Sequence, residues 1–311
     1  MELSLILMSK MLAMMLWGAA GFALVKAGLL KTEDSRIHSV LVIYLFCPSM
    51  LVRSFQIELT DERLFSLIAG TVFAFAVHFI WIAVTRVLTP VLHLNPTNRA
   101  SLIFTNSGNL ILPLVSMILG DEYLFCTTSY LIAFNIMIWT YGVSLISGRR
   151  PGGLRRIFLN VNLLAIFAGL ILLFTGLRLP GIIDTACEGF QEMVGPASMI
   201  VIGMIMGGTK LAEIFKTPRY YMLALFRLII LPLMILLLLR LSGIIELYPF
   251  LREPFLISML AVAAPPAALV TQIAVVWDGD AVSAGACNVL STVFSLFSMP
   301  LIVLIYQTLF A

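Results

Sequence analysis

Charge is what this sequence has least of. Lysine, arginine, aspartate and glutamate together make up 11% of its 311 residues, against roughly a quarter in a soluble globular domain. That deficit excludes a water-soluble fold of ordinary surface composition. Cysteine is scarce as well. Cys47, Cys126, Cys187 and Cys287 form no CxxC pair and have no nearby histidine, so neither a disulfide nor a metal site is expected, and the four are read as apolar packing. The signatures of a membrane-embedded enzyme are missing too: there is no HxxE, HExxH or GxSxG sequence and no pair of intramembrane carboxylates. No catalytic residue, cofactor, metal or nucleic-acid partner is therefore assigned. Nor is there room for a soluble domain, since the longest polar stretch runs only from about Arg149 to Arg156.

What the sequence does have is apolar residues, 61% of the total. Many of the runs between charges reach the roughly 20 residues that a helix needs to cross the hydrocarbon core of a bilayer. The first, Leu3 to Leu30, is too long for the apolar stretch of a signal peptide and is read as a retained spanning helix. Cutting at charged or Gly/Pro-rich breaks gives ten segments, at 4–29, 36–56, 64–88, 98–119, 123–147, 157–177, 182–208, 219–241, 252–276 and 281–309. The expected class is an all-α polytopic protein of the cytoplasmic membrane.

Lysine and arginine concentrate in cytoplasmic loops. One alternating set of loops holds Lys26, Lys31, Arg36, Arg86, Arg99, Arg149, Arg150, Arg155, Arg156, Lys210, Lys216 and Arg219, while the other holds only Arg53, Arg63, Arg178, Arg240 and Arg252. The central loop is thus expected in the cytoplasm and both termini outside. That loop, 148–156, separates a first repeat (1–147) from a second (157–311), each with five segments. An odd number per half forces the second to insert upside down, the ground plan of many secondary transporters. Three residue pairs in corresponding segments support the repeat: Gly21 with Gly169, Pro48 with Pro196, and Asn135 with Asn288.

Segments 4 and 9 occupy the same place in the two halves, and both are poor continuous helices. Segment 4 contains Thr105-Asn106-Ser107-Gly108-Asn109 followed by Pro113. Segment 9 contains Ala264-Pro265-Pro266-Ala267. Proline removes a donor and disfavours the helical conformation of the residue before it; Asn, Ser and Gly are weak helix formers. Gly108, Pro113, Pro265 and Pro266 are the expected helix breaks. Unwound backbone at membrane depth survives only inside protein or against a water-filled cavity. Two symmetric breaks therefore imply crossed half-helices, whose N-terminal ends offer N–H groups and partial positive charge to an anion. Such ends can hold a carboxylate without a buried arginine. Ordinary proline-kinked packing helices are the alternative.

At these residues the chain resembles the auxin efflux carrier family, which includes bacterial malonate and malate permeases. The resemblance rests on Asn106-Ser-Gly-Asn109 with Leu112-Pro113-Leu114, on Asn135 with Trp139 and Tyr141, on Pro265, on Asn288 with Ser291-Thr292, and on Pro48 and Pro196. It implies a fold like that of sodium/proton antiporters and bile-acid transporters. In that fold segments 1, 2, 6 and 7 form a scaffold, and segments 3–5 and 8–10 form a transport domain built on crossed helices 4 and 9. It further implies elevator-type movement and homodimerisation through the scaffold. Thr105 stands where plant members have proline, and the short central loop is similar to that of prokaryotic permeases.

The expected function is secondary transport of a small organic anion, a mono- or dicarboxylate such as malonate or malate. An anion channel or a non-cycling ligand sensor on the same scaffold is the alternative. Candidate substrate-binding residues are Asn106, Ser107, Asn109, Asn135, Pro265, Pro266, Gln272 and Asn288. His78, within segment 3, is a candidate for proton coupling, with a neutral histidine hydrogen-bonded in the bundle as the alternative. Lys10 and Arg227 are read as snorkelling anchors near the two surfaces. No carboxylate lies deep in segments 3–5 or 8–10, which argues against sodium coupling through an intramembrane acid.

The orientation is testable with alkaline phosphatase, which is active only outside the cytoplasm. The reporter is expected to be active when fused after residue 311 and inactive when fused after residue 152. The opposite pattern contradicts the charge bias.

Overall fold

The structure is a computed structural model that describes residues 2–56, 58, 60–111, 115, 123–148 and 160–310. Its principal helices are α1 (Glu2–Lys26), α2 (Thr32–Ser54), α3 (Asp61–Leu92), α4 (Pro96–Ile103), α5 (Cys126–Ser147), α6 (Val161–Thr175), α7 (Gly181–Gly207), α8 (Pro218–Ser242), α9 (Arg252–Ala263), α10 (Ala268–Val276) and α11 (Ala281–Leu309). Among the described residues the regular structure is helical apart from one isolated antiparallel bridge, between Thr105 and Pro266. Six of these helices, α2, α3, α5, α7, α8 and α11, are long and apolar enough to cross a membrane. The chain is a multi-pass membrane protein. The central loop from 149 to 156, including its four arginines, lies outside the described residues, as does Pro113.

Local chemistry sets the helix ends. Thr60 accepts a hydrogen bond from the Arg63 amide at the start of α3. Asn95 caps α4 through the Asn98 amide at 2.7 Å, and Pro96 follows it in the first turn, where its missing N–H costs nothing. Asn160 caps α6 and Asp280 caps α11 in the same way. Gly176 and Gly243 end α6 and α8 in the left-handed conformation that glycine adopts without a steric penalty. Three long helices also contain a π-helical turn, at Val42–Phe46 in α2, Ile138–Gly142 in α5 and Phe226–Ile230 in α8. Each widened turn rotates the helical face beyond it.

Large apolar side chains are outward-facing over much of the surface. Ile182, Phe297, Leu16, Val87 and Leu241 are all well exposed. In water such a surface would aggregate; in hydrocarbon it is ordinary. Packing inside the bundle must then come from close fit and polar links rather than from a hydrophobic driving force. The pair α1–α7 shows how. Gly18, Gly21, Gly203 and Gly207 line the contact, so the two backbones approach closely. A Cβ on Gly21 would sit 2.2 Å from the Ile200 carbonyl oxygen, and one on Gly203 would sit 1.9 Å from the Gly18 carbonyl oxygen. In α6, Gly169 makes a similar allowance for the Phe55 ring.

Two sets of helices emerge from the packing. In one, α1 lies on α7, and α2 lies between α6 and α7. Arg53 of α2 ties this set together with ion pairs to Asp184 and Glu188 of α7, and Asn162 of α6 donates to the Ile43 carbonyl. In the other, α3 packs on α5, while α8, α9 and α10 gather around α11. Gly70 of α3 nests against Ser129 of α5. The sets meet where α10 and α11 lie against α1, α2 and α7.

The glycine contact makes a prediction about stability. Gly203→Val should destabilise the detergent-solubilised protein by about 1–3 kcal/mol or more, because neither backbone can yield without repacking. Gly189→Ala, in the same helix but with nothing within 4 Å of the added methyl, should be neutral or slightly stabilising. Thermal unfolding of the two variants side by side checks the contrast.

Candidate functional site

The site is built by two interrupted helices. On one side α9 stops at Ala263, and Ala264 turns extended (φ −64°, ψ 152°), as a residue before proline must. Pro265 and Pro266 follow with no N–H to offer, and Ala267 leads into α10. On the other side α4 stops at Ile103, and Phe104 is extended (φ −98°, ψ 127°). The chain re-enters a π-helical turn at Ser107–Ile111. The two extended stretches run antiparallel and complete each other: the Asn106 amide donates to the Pro265 carbonyl at 2.8 Å, and the Ala267 amide donates to the Phe104 carbonyl at 2.9 Å.

This pairing has a physical necessity. Each interruption frees backbone groups that water would satisfy at a surface but that hydrocarbon cannot, at a cost of several kcal/mol per unpaired group. Here each break supplies what the other lacks. Asn288 of α11 adds a third link, donating its side-chain amide to the Pro266 carbonyl at 2.7 Å. Arg227 adds a fourth: its guanidinium donates to the carbonyls of Val262 (2.9 Å) and Ala264 (2.8 Å) at the end of α9.

The break in segment 4 begins earlier than the glycine suggested. It occupies Phe104–Asn106, whereas Ser107, Gly108 and Asn109 lie in the helical turn that follows. The backbone bonds to Pro265 and Ala267 place it there, and no special conformational freedom at Gly108 is used. The break in segment 9 falls at Pro265 and Pro266, as expected.

A small cavity of about 30 Å³ abuts the crossing, large enough for an ordered water. Thr105, Asn106 and Gly108 line it from one interrupted helix and Ala267 and Leu269 from the other. Leu131, Phe134 and Asn135 of α5 close one side; Cys47 and Met50 of α2 and Val194 and Ser198 of α7 close the opposite side. The cavity therefore lies between the two sets of helices. Asn106 is buried, and its side-chain NH2 has no hydrogen-bond partner among the described residues. The Asn135 NH2 bonds back to the Leu131 carbonyl of its own helix.

The other candidates are placed differently. Asn288 acts on the crossover backbone through its bond to Pro266. Ser107 is buried, and its hydroxyl has no hydrogen-bond partner among the described residues. Gln272 is fully buried on α10 and donates to the Ser198 carbonyl of α7 at 3.1 Å, tying the two sets of helices together beside the cavity. The side chain of Asn109 lies outside the described residues. His78 is fully buried behind the crossing, boxed by the rings of Trp81, Phe104, Tyr130 and Phe134. Its Nδ1 lies 2.7 Å from the Ala74 carbonyl. A carbonyl only accepts, so Nδ1 carries the proton and the ring is oriented. Among the described residues no three His, Cys, Asp or Glu side chains gather as a metal site would require.

Arg227 is the residue that sequence reasoning misplaced. Taken as a surface anchor, it is instead fully buried, with its guanidinium 4.5 Å from the centre of the Trp81 ring. It lies in the π-helical turn Phe226–Ile230 and points toward the end of α9.

Residues 6–154 match the family model described as membrane transport protein. The matched stretch includes the Phe104–Asn106 break and Asn135. No curated protein matches the chain.

The bond from Asn288 makes the site's backbone geometry testable. Asn288→Leu leaves the Pro266 carbonyl without its donor in a buried setting, at a cost of about 1–3 kcal/mol. Thermal unfolding of the purified variant should show that loss; unchanged stability contradicts the assigned role.

Proposed function

We propose that this protein is a secondary transporter that carries a small organic anion, a mono- or dicarboxylate of the malonate or malate type, across the cytoplasmic membrane. The observation that carries this reading is the reciprocal pairing of two interrupted helices beside a cavity lined by both. A helix that resumes after a break presents N–H groups and partial positive charge at its new start. The two restarted helices begin at Ser107 and Ala268, and Gly108 and Leu269 from their first turns line one cavity together with the Asn106 side chain. Carboxylate oxygens match that donor set. The family match over the first half of the chain supports a transport role.

The proposed architecture is ten spans in two inverted five-helix repeats. It counts α1, α6 and the two interrupted helices together with the six long ones. The proposed scaffold comprises α1, α2, α6 and α7, with a homodimer formed across it, and the remaining helices form the moving body. The packing sets support that division, and the cavity's place between them supports an elevator-type cycle. At about 30 Å³ the cavity is too small for an organic acid. Sliding one set past the other would widen it and expose it on alternate sides. One link across the boundary is cheap to break. Arg36 of α2 pairs with Asp278 beyond α10 at 2.8 Å, yet both side chains are more than half exposed, a setting where an ion pair contributes about 0–1 kcal/mol.

Reconstituted into proteoliposomes, the protein should take up a labelled short-chain carboxylate saturably and show counterflow, which a channel does not. Asn106→Ala should lower that uptake at least tenfold while leaving a folded, membrane-inserted protein. Normal uptake by the variant contradicts the assignment, and uptake without counterflow favours a channel.

A further inference from the structure

Arg227 is unusual in what surrounds it. Its side chain is fully buried, and among the described residues it takes part in no ion pair. The stretches that form the crossing, 104–111 and 261–276, contain no aspartate or glutamate. The neighbours are oxygen dipoles and rings: the carbonyls of Val262 and Ala264, the Trp81 face, and the His78 and Tyr130 side chains, near enough to feel its charge. Two of its nitrogens, Nε and Nη1, have no hydrogen-bond partner among the described residues. A buried guanidinium normally has a carboxylate to offset the loss of hydration. This one has only carbonyls, and they belong to the negative, C-terminal end of α9.

Carbonyl oxygens converging at a broken helix end are what an alkali cation binds at membrane depth, as half-helix ends do in other carriers. We propose that the Arg227 guanidinium is a built-in cation of the crossing. It stands where a dissociable sodium ion would otherwise be needed, so an organic anion binds beside it without a co-bound metal ion. The proposal rests on the transporter reading for the identity of the guest, and on the geometry alone for the role of the arginine. The charge is well placed for both. Arg227 holds the Ala264 carbonyl, the next residue's carbonyl holds the Asn106 amide, and Asn106 lines the cavity. The positive charge that its own surroundings leave uncompensated is available to a carboxylate there, in a medium where Coulomb attraction is weakly screened.

The test uses purified full-length protein in detergent, read by thermal unfolding. In wild type, malonate should raise the melting temperature equally in sodium and in N-methylglucamine buffers; a shift that requires sodium overturns the proposal. Arg227→Ser should melt lower than wild type and be restored in part by millimolar guanidinium or sodium, which fill the carbonyl-lined space and bind only the folded state. Wild type should show no such response. Arg227→Lys keeps one charge at the same place; it guards against a serine variant that fails to fold. It should be folded and indifferent to added sodium or guanidinium. Stability of Arg227→Ser equal to wild type, or stabilisation of Arg227→Lys by either cation, overturns the proposal. If no short carboxylate shifts wild type, the organic-anion reading fails, while the rescue of Arg227→Ser still decides the role of the arginine.

Discussion

Two backbone hydrogen bonds, Asn106 to Pro265 and Ala267 to Phe104, are the constraint on which the rest of the structure depends. A chain inside hydrocarbon cannot leave peptide groups unpaired, so a helix there is either continuous or answered by another break. Prolines 265 and 266 make continuity impossible on one side. Everything near them follows from finding partners for what they release. The interruption of α4 supplies an acceptor and a donor, Asn288 supplies a donor, and Arg227 supplies two more. The outcome is a polar centre in an apolar bundle, held by main chain on both sides.

That centre lies on a boundary. The helices α1, α2, α6 and α7 are fitted to one another by glycine contacts and by the Arg53 ion pairs, which resist relative movement. The links that cross to the other set include the solvent-exposed Arg36–Asp278 pair, the Thr128 bond to the Ser54 carbonyl and the buried Gln272 bond to the Ser198 carbonyl. Tight packing within each body, with the polar cavity on the boundary between them, suits a carrier in which one body moves and takes its guest along.

Much of this was legible in the sequence because it depends on residue types with one physical meaning. A pair of adjacent prolines in an apolar run can only be a break, and long uncharged runs can only be spans or core. The amphipathic middle of segment 4 pointed to the right helix, although the break itself came at Phe104–Asn106, before the glycine. What the sequence hid depends on three-dimensional rotation. A lone arginine in segment 8 looks like an anchor, yet it sits in the π-helical turn Phe226–Ile230 and faces inward onto Trp81 and α9. Nor does the sequence show that Gln272, a substrate-binding candidate, donates to the Ser198 carbonyl of α7. Asn135 and Asn288, matched by position, do different work, because one bonds its own helix and the other bonds the crossing.

The central claim is that the two breaks touch each other and that transport passes through their contact. Residues 105 and 266 face each other in the antiparallel bridge, a spacing of about 4.5–5.5 Å between Cα atoms that a disulfide can span. With the four native cysteines replaced, Thr105→Cys combined with Pro266→Cys should cross-link under mild oxidation in membranes. Because both breaks ride in the same moving body, uptake should persist after oxidation. Failure of the pair to cross-link, or loss of uptake on cross-linking, contradicts the account.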